Sequence, residues 1–264
     1  MVDPRFRRRR VEIRRKEGRR RLWALIGVSA LLAGGGGGWA ATDSALLDVD
    51  HVVVEGAVHT SPADARTASG LRTGEPLLDL DRARAARRVS RLPWVREATV
   101  LRRWSGRVNI RLIEREPLAV TASIAGGAAL IDGSGRVLEW VDVAPPGLAV
   151  LTNLPPAGPA GSLLASEGQA VLAVAVALPA ELRGRTAGVA PSAGGLGEVD
   201  LRLHPEGMVR IGPPEDLGRK FDAVRAVLAQ VDARTLNVLD VRRPDSPVLT
   251  RRETPTKVST TRVG

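Results

Sequence analysis

No charged residue occurs between positions 22 and 41, a run of twenty positions. A helix of that length is about 30 Å long, the thickness of a bilayer's hydrocarbon core. Eleven Lys/Arg and three acids precede the run, and Asp43, Asp48 and Asp50 follow it. Positive charge resists translocation, so the pattern predicts one transmembrane helix over 22–41, a cytoplasmic tail over 1–21, and residues 42–264 outside. Beyond the span the periodicity changes. Residues 51–56 are a β-branched run closed by Gly56, which predicts a strand. Ser61 and Pro62 open a helix as N-cap and first helical residue, and Gly70 closes it. A second helix over 82–92 has Leu80, Ala83, Ala85, Ala86 and Val89 at helical spacing. Asp81 or Asp79 caps it and Pro93 stops it. Residues 95–101 form a strand. After a turn at Ser105 and Gly106, Val108, Ile110 and Leu112 alternate with Arg107, Asn109 and Arg111, the pattern of a half-buried strand. The order β-α-α-β-β predicts a small three-stranded sheet covered by two helices.

A different pattern follows Pro117. Residues 128–131 and 137–140 flank a Gly-rich turn from Asp132 to Gly135, a hairpin. Residues 163–182 are rich in Ala, Val and Leu and predict a helix. Residues 198–203 and 208–211 form a second hairpin around Pro205, Glu206 and Gly207. Leu217, Phe221, Val224 and Leu228 mark a helix over 216–231. Residues 236–241 and 248–249 are terminal strands, and the polar residues 251–264 read as a disordered tail. The fold class is α+β: a single transmembrane helix, then two external domains.

The chain's net charge is +10, and the tail supplies +8 of it. The remaining residues are nearly neutral, which excludes a folded nucleic-acid-binding surface; the tail is placed against anionic lipid instead. Arg outnumbers Lys 36 to 3, read as coding bias. A cleaved signal peptide is the competing reading of the span, with Gly38, Trp39 and Ala40 as a small-x-small cleavage site. A run of twenty residues is long for that role, so retention is preferred. Gly34 and Gly38 have the spacing that lets two helices approach closely, and compositional drift explains them equally well. There is no Cys, hence no disulfide framework. With 3% aromatic residues and no Tyr, the cores rest on Leu, Val, Ala and Ile.

Candidate chemistry is sparse. His51, His59 and His204 share no metal-ligand spacing, and no nucleophile elbow, P-loop or dinucleotide fingerprint is present. Asp79 and Asp81 read as helix caps. Glu114, Arg115 and Glu116 read as ion pairing where two domains join. Trp94 and Trp104 bracket a strand and read as packing. No catalytic residue, cofactor or metal is predicted.

Val54, Glu55 and Gly56, then residues 74–81 (GEPLLDLD), 92–95 (LPWV), Ala98 to Val100, Arg102 to Trp104, and Glu114 to Pro117 occur in an order that resembles the FtsQ/DivIB family of bacterial cell-division proteins. The hairpin from Leu130 to Gly135 extends the likeness along nearly the whole chain. The resemblance implies a POTRA domain over 46–117 and an FtsQ-type β domain over 118–250. Ser105 departs from the family, which commonly has Pro there, and no Tyr occurs in the terminal strands.

The expected binding site is the C-terminal edge: Asn237, Val238, Leu239, Asp240 and Val241, with Arg242 and Arg243 placed to meet acids on a partner. An unpaired edge accepts another chain through its N–H and C=O groups. The resemblance implies that FtsB/DivIC-like and FtsL-like bitopic proteins dock there by strand addition. It also implies other divisome components as partners, and a plasma-membrane scaffold concentrated at the septum. Alternative classes are a secreted or anchored envelope enzyme and a transport-associated POTRA protein.

Overall fold

The computed structural model describes residues 48–103, 105–231 and 235–252, together with the helical backbone of Gly27 and Ser29. The rest of the expected span, the basic tail, Trp104 and most of the C-terminal tail lie outside the described residues. Among those described, no helix is long and apolar enough to cross a membrane.

The chain divides into two compact units. The first takes residues 48–56, 62–89 and 98–112 of the described chain. Its elements are strand β1 (His51–Glu55), helices α1 (Pro62–Ser69) and α2 (Arg82–Val89), and the greater part of β2 (Val95–Arg103) and β3 (Arg107–Glu114). The sheet order is β1-β3-β2, with β1 parallel to β3 from His51↔Arg107 to Glu55↔Arg111. This is the β-α-α-β-β order that the periodicity predicts. Val108, Ile110 and Leu112 are buried, as are Val49, Ala65, Leu77, Ala85, Val89 and Val100. Asp81 is the cap of α2: its Oδ1 accepts the Arg84 N–H at 2.9 Å. Gly56 (φ +80°) closes β1 where a Cβ would run into the Leu112 carbonyl, so only glycine fits.

The second unit takes residues 57–61, 90–97 and 113–252. Strands β4 (Pro117–Ala122), β5 (Ala128–Asp132), β6 (Val137–Val141) and β7 (Ala149–Val150) form a four-stranded sheet of order β6-β5-β4-β7. Helices α3 (Ser166–Ala177) and α4 (Ala180–Arg183) follow. Then come β8 (Thr186–Pro191), β9 (Val199–Leu203), β10 (Met208–Gly212), α5 (Leu217–Leu228), β11 (Leu236–Asp240) and β12 (Val248–Arg251). The second sheet has the order β12-β11-β10-β9-β8, and a bridge from Leu151 to Val189 connects the two sheets. One apolar core serves both: Ala119, Ile131 and Val137 from the first, Val189, Leu201, Val209 and Leu239 from the second, under Val171 and Leu172 of α3 and Phe221 and Val224 of α5.

Both expected hairpins are present, as is the helix read over 216–231. The helix read over 163–182 is two helices. Leu178 is extended and Pro179, which has no N–H to donate, separates them. Strands β4, β7 and β8 have no counterpart in the sequence reading; β4 is buried at Ala119, Val120 and Thr121 in succession, so it lacks the alternation of a half-buried strand.

Candidate partner-binding edge

The expected site is corrected at one point. Strand β11 is not an edge. It pairs in parallel with β10 (Met208↔Val238 to Arg210↔Asp240) and antiparallel with β12 (Val238↔Thr250, Leu239↔Leu249, Asp240↔Val248). The turn from Arg242 to Pro247 brings the last strand back onto it, so its backbone groups are already used. Leu239 and Val241 are fully buried in the core, while Asn237, Arg242 and Arg243 are exposed and Val238 and Asp240 are half-buried.

The open edge is β12. The Val241 N–H donates to the Arg210 carbonyl (3.0 Å), and the Arg252 N–H donates to the Thr235 carbonyl (2.9 Å). Backbone groups alternate in direction along a strand, so Thr250 and Val248 turn theirs towards β11. Leu249 and Arg251 direct theirs outward. Val248 is 63% exposed, and the Leu249 side chain packs against the core. A four-residue strand after a Pro-containing turn is legible in the sequence at Val248 and Leu249; that it lies outside β11 is a fact of pairing.

Charge is arranged in register across the outer face of this sheet. Asp200 on β9 stands opposite Arg210 on β10, and Arg210 opposite Asp240 on β11. Asp240 accepts the Arg242 backbone N–H (3.0 Å), its Nε–H (3.0 Å) and its second guanidinium N–H (2.7 Å). The Arg242 side chain is therefore the main cause holding the Asp240 carboxyl below the usual range, against the opposing effect of burial. Asp200 behaves oppositely. Burial pushes its carboxyl up, partly offset by Ser192 and Arg210, and its Oδ1 has no hydrogen-bond partner among the described residues. Glu198, Pro213, Asp240, Arg242, Ser246 and Val248 line a cavity of about 460 Å³ at the head of β12.

Of the other singled-out residues, Glu114, His59, Arg115 and Trp94 make contacts that hold the fold. Glu114 accepts the N–H groups of Val58 (3.0 Å), His59 (2.9 Å) and Thr60 (2.7 Å), and His59 Nδ1 lies 3.0 Å away. The His59 ring stacks on Trp94 at 4.0 Å. Arg115 pairs with the buried Asp132 at 2.6 Å. Trp94 is 8% exposed and packs on Val120, Leu130 and Leu138. Among the described residues, no three His, Asp or Glu side chains converge as metal ligands.

Residues 47–115 match the POTRA domain, FtsQ-type. The chain is 34% identical over 140 residues to the cell division protein FtsQ of Streptomyces collinus, covering 52% of this chain and 53% of that one. It is 32% identical over 141 residues to that of Corynebacterium glutamicum (52% and 58%), and 27% identical over 213 residues to that of Streptomyces griseus (78% and 98%). The chain thus spans about half the length of the first two relatives.

Proposed function

We propose, for a chain that belongs to the FtsQ/DivIB family of bacterial cell-division proteins, the role of a membrane-anchored, non-enzymatic scaffold of the divisome. The observation that carries this reading is β12, an edge strand with outward backbone groups at Leu249 and Arg251 and a polar cavity at its head. An FtsB/DivIC-like segment adds to that edge as a sixth strand, and an FtsL-like chain arrives with it. Backbone pairing supplies affinity, and Val238, Arg242 and Arg243 near the edge supply selectivity. Residues 22–41 hold the scaffold in the plasma membrane with its tail on the cytoplasmic side, and the FtsQ-type POTRA domain offers a second recruitment surface. Confinement to two dimensions then lets several weak contacts assemble a septal wall-synthesis complex.

Arg251→Pro tests the docking mode. Its N–H points outward, so Pro removes a donor and blocks an incoming strand without breaking the β11 ladder. Co-purification of the full chain with FtsB/DivIC-like and FtsL-like proteins is expected to weaken by about tenfold or more, with the melting temperature little changed. Wild-type chain that recovers no division protein, or a variant that recovers as much as wild type, defeats the proposal.

A further inference from the structure

The chain uses Arg 36 times and Lys three times. Lys220 is the sole lysine among the described residues. It is also buried, only 4% exposed, on the first turn of α5. A linear ammonium and a planar guanidinium are not interchangeable at a buried site.

The Lys220 amine donates to the Pro213 carbonyl at 2.8 Å. The same carbonyl accepts the Glu215 N–H at 2.8 Å, and the Asp216 carbonyl accepts the Lys220 N–H at 3.1 Å. The turn from Pro213 to Asp216 is thus gripped from α5 by both backbone and side chain. It needs that grip, because Asp216 sits at φ +50°, which side-chain-bearing residues adopt at some cost. The turn also forms the near side of the docking edge. Pro213 lines the cavity with Asp240, Arg242 and Val248. Gly212 (φ +73°) lies directly under the Arg242 stem, where a Cβ would come within 2.7 Å of Arg242 Cγ. A buried amine is unfavourable unless its hydrogen bonds repay the lost hydration. Here a single backbone carbonyl receives it, next to the one arginine whose guanidinium is locked onto Asp240.

We propose that Lys220 is a positioning residue of the docking edge: its buried amine fixes the turn from Gly212 to Asp216 as the floor on which Arg242 is held against Asp240, at the head of β12. This rests on the strand-addition reading above for its functional consequence. Loss of the amine frees the turn, releases Arg242 from Asp240, and blurs the end of the edge at which an incoming strand finds its register.

The test uses the full chain in detergent with Lys220→Met, which keeps the length of the stem and removes the donor. Two quantities are read: the exchange protection of the Arg242 Nε–H by nitrogen-15 NMR, and the dissociation constant for the FtsB/DivIC-like and FtsL-like pair. The expected result is a drop of about tenfold in Arg242 protection with Leu201 and Val209 amides unchanged, and a dissociation constant raised by a similar factor. Unchanged Arg242 protection overturns the proposal whatever the partner does. Lost protection with unchanged affinity overturns its link to docking. If wild-type chain binds no partner, the strand-addition reading fails, while the NMR readout still decides whether Lys220 positions Arg242. Should Lys220→Met not fold, Lys220→Gln, too short to reach Pro213, is read the same way.

Discussion

Glu114 shows how far a single side chain can act beyond its neighbourhood. Its carboxylate gathers three backbone N–H groups from the segment at Val58, His59 and Thr60, more than fifty positions away in sequence. Burial alone would raise its pKa; the His59 and Thr60 N–H groups, the His59 ring and the Val58 N–H outweigh it and hold the value at about 2, against 4.5 for a free glutamate. A carboxyl depressed in the folded state stabilises the fold above its unfolded pKa, and that contribution disappears as pH falls through the folded value. Glu114 therefore contributes on the order of 3 kcal/mol at neutral pH, lost between about pH 4.5 and pH 2. Glu114→Gln keeps an acceptor but removes the charge that strengthens each bond. It is expected to cost about 1–3 kcal/mol in urea denaturation at pH 7 and much less at pH 2.5. A variant equally destabilised at both pH values would mean that shape, not charge, holds the segment. The sequence reading recognised Glu114, Arg115 and Glu116 as an ion-pairing cluster, and Arg115 does pair with Asp132. Nothing in the local pattern tells Glu114 that its partners are amides, because amides have no sequence signature.

Among the elements, what was legible depended on whether one face or two are buried. Strand β3 alternates because one face is wet, and Val108, Ile110 and Leu112 announce it. Strands β4 and β8 each bury three residues in succession and show no alternation, so periodicity does not mark them. Both hairpins declared themselves through their glycines. The order of strands within the sheet is different in kind: β11 and β12 have similar composition, and only the pairing makes one interior and the other an edge. Truncation of one residue on each strand expresses that difference. Leu239→Ala, at a fully buried site of β11, is expected to lower stability by about 2–5 kcal/mol. Val248→Ala, opposite Asp240 on the exposed edge strand, is expected to stay within about 0.5 kcal/mol. Comparable losses at both positions in chemical denaturation would place β12 inside the sheet after all.

For the molecule as a whole, the decisive quantity is where the folded units are held. A scaffold that works through weak contacts depends on concentration, and linking binding modules can raise avidity by about 10²–10⁴ without any new contact. Residues 22–41 are the segment to perturb, since an Arg at the centre of a span costs about 2.5–3.5 kcal/mol and two cost about twice that. Leu31→Arg with Leu32→Arg leaves the FtsQ-type POTRA domain and the sheet bearing β12 untouched. The double variant is expected to move from the alkali-resistant membrane fraction to the soluble fraction and to lose its septal position in cells. In dilute solution it should still bind the FtsB/DivIC-like and FtsL-like pair with wild-type affinity, because the edge is intact. Those two results together separate address from recognition. Membrane retention that survives both arginines would remove residues 22–41 as the anchor, and a loss of binding in solution would show that the span contributes to recognition itself. On the proposed reading, location is encoded by twenty uncharged positions and a basic tail, whereas selectivity is encoded by Val238, Arg242 and Arg243.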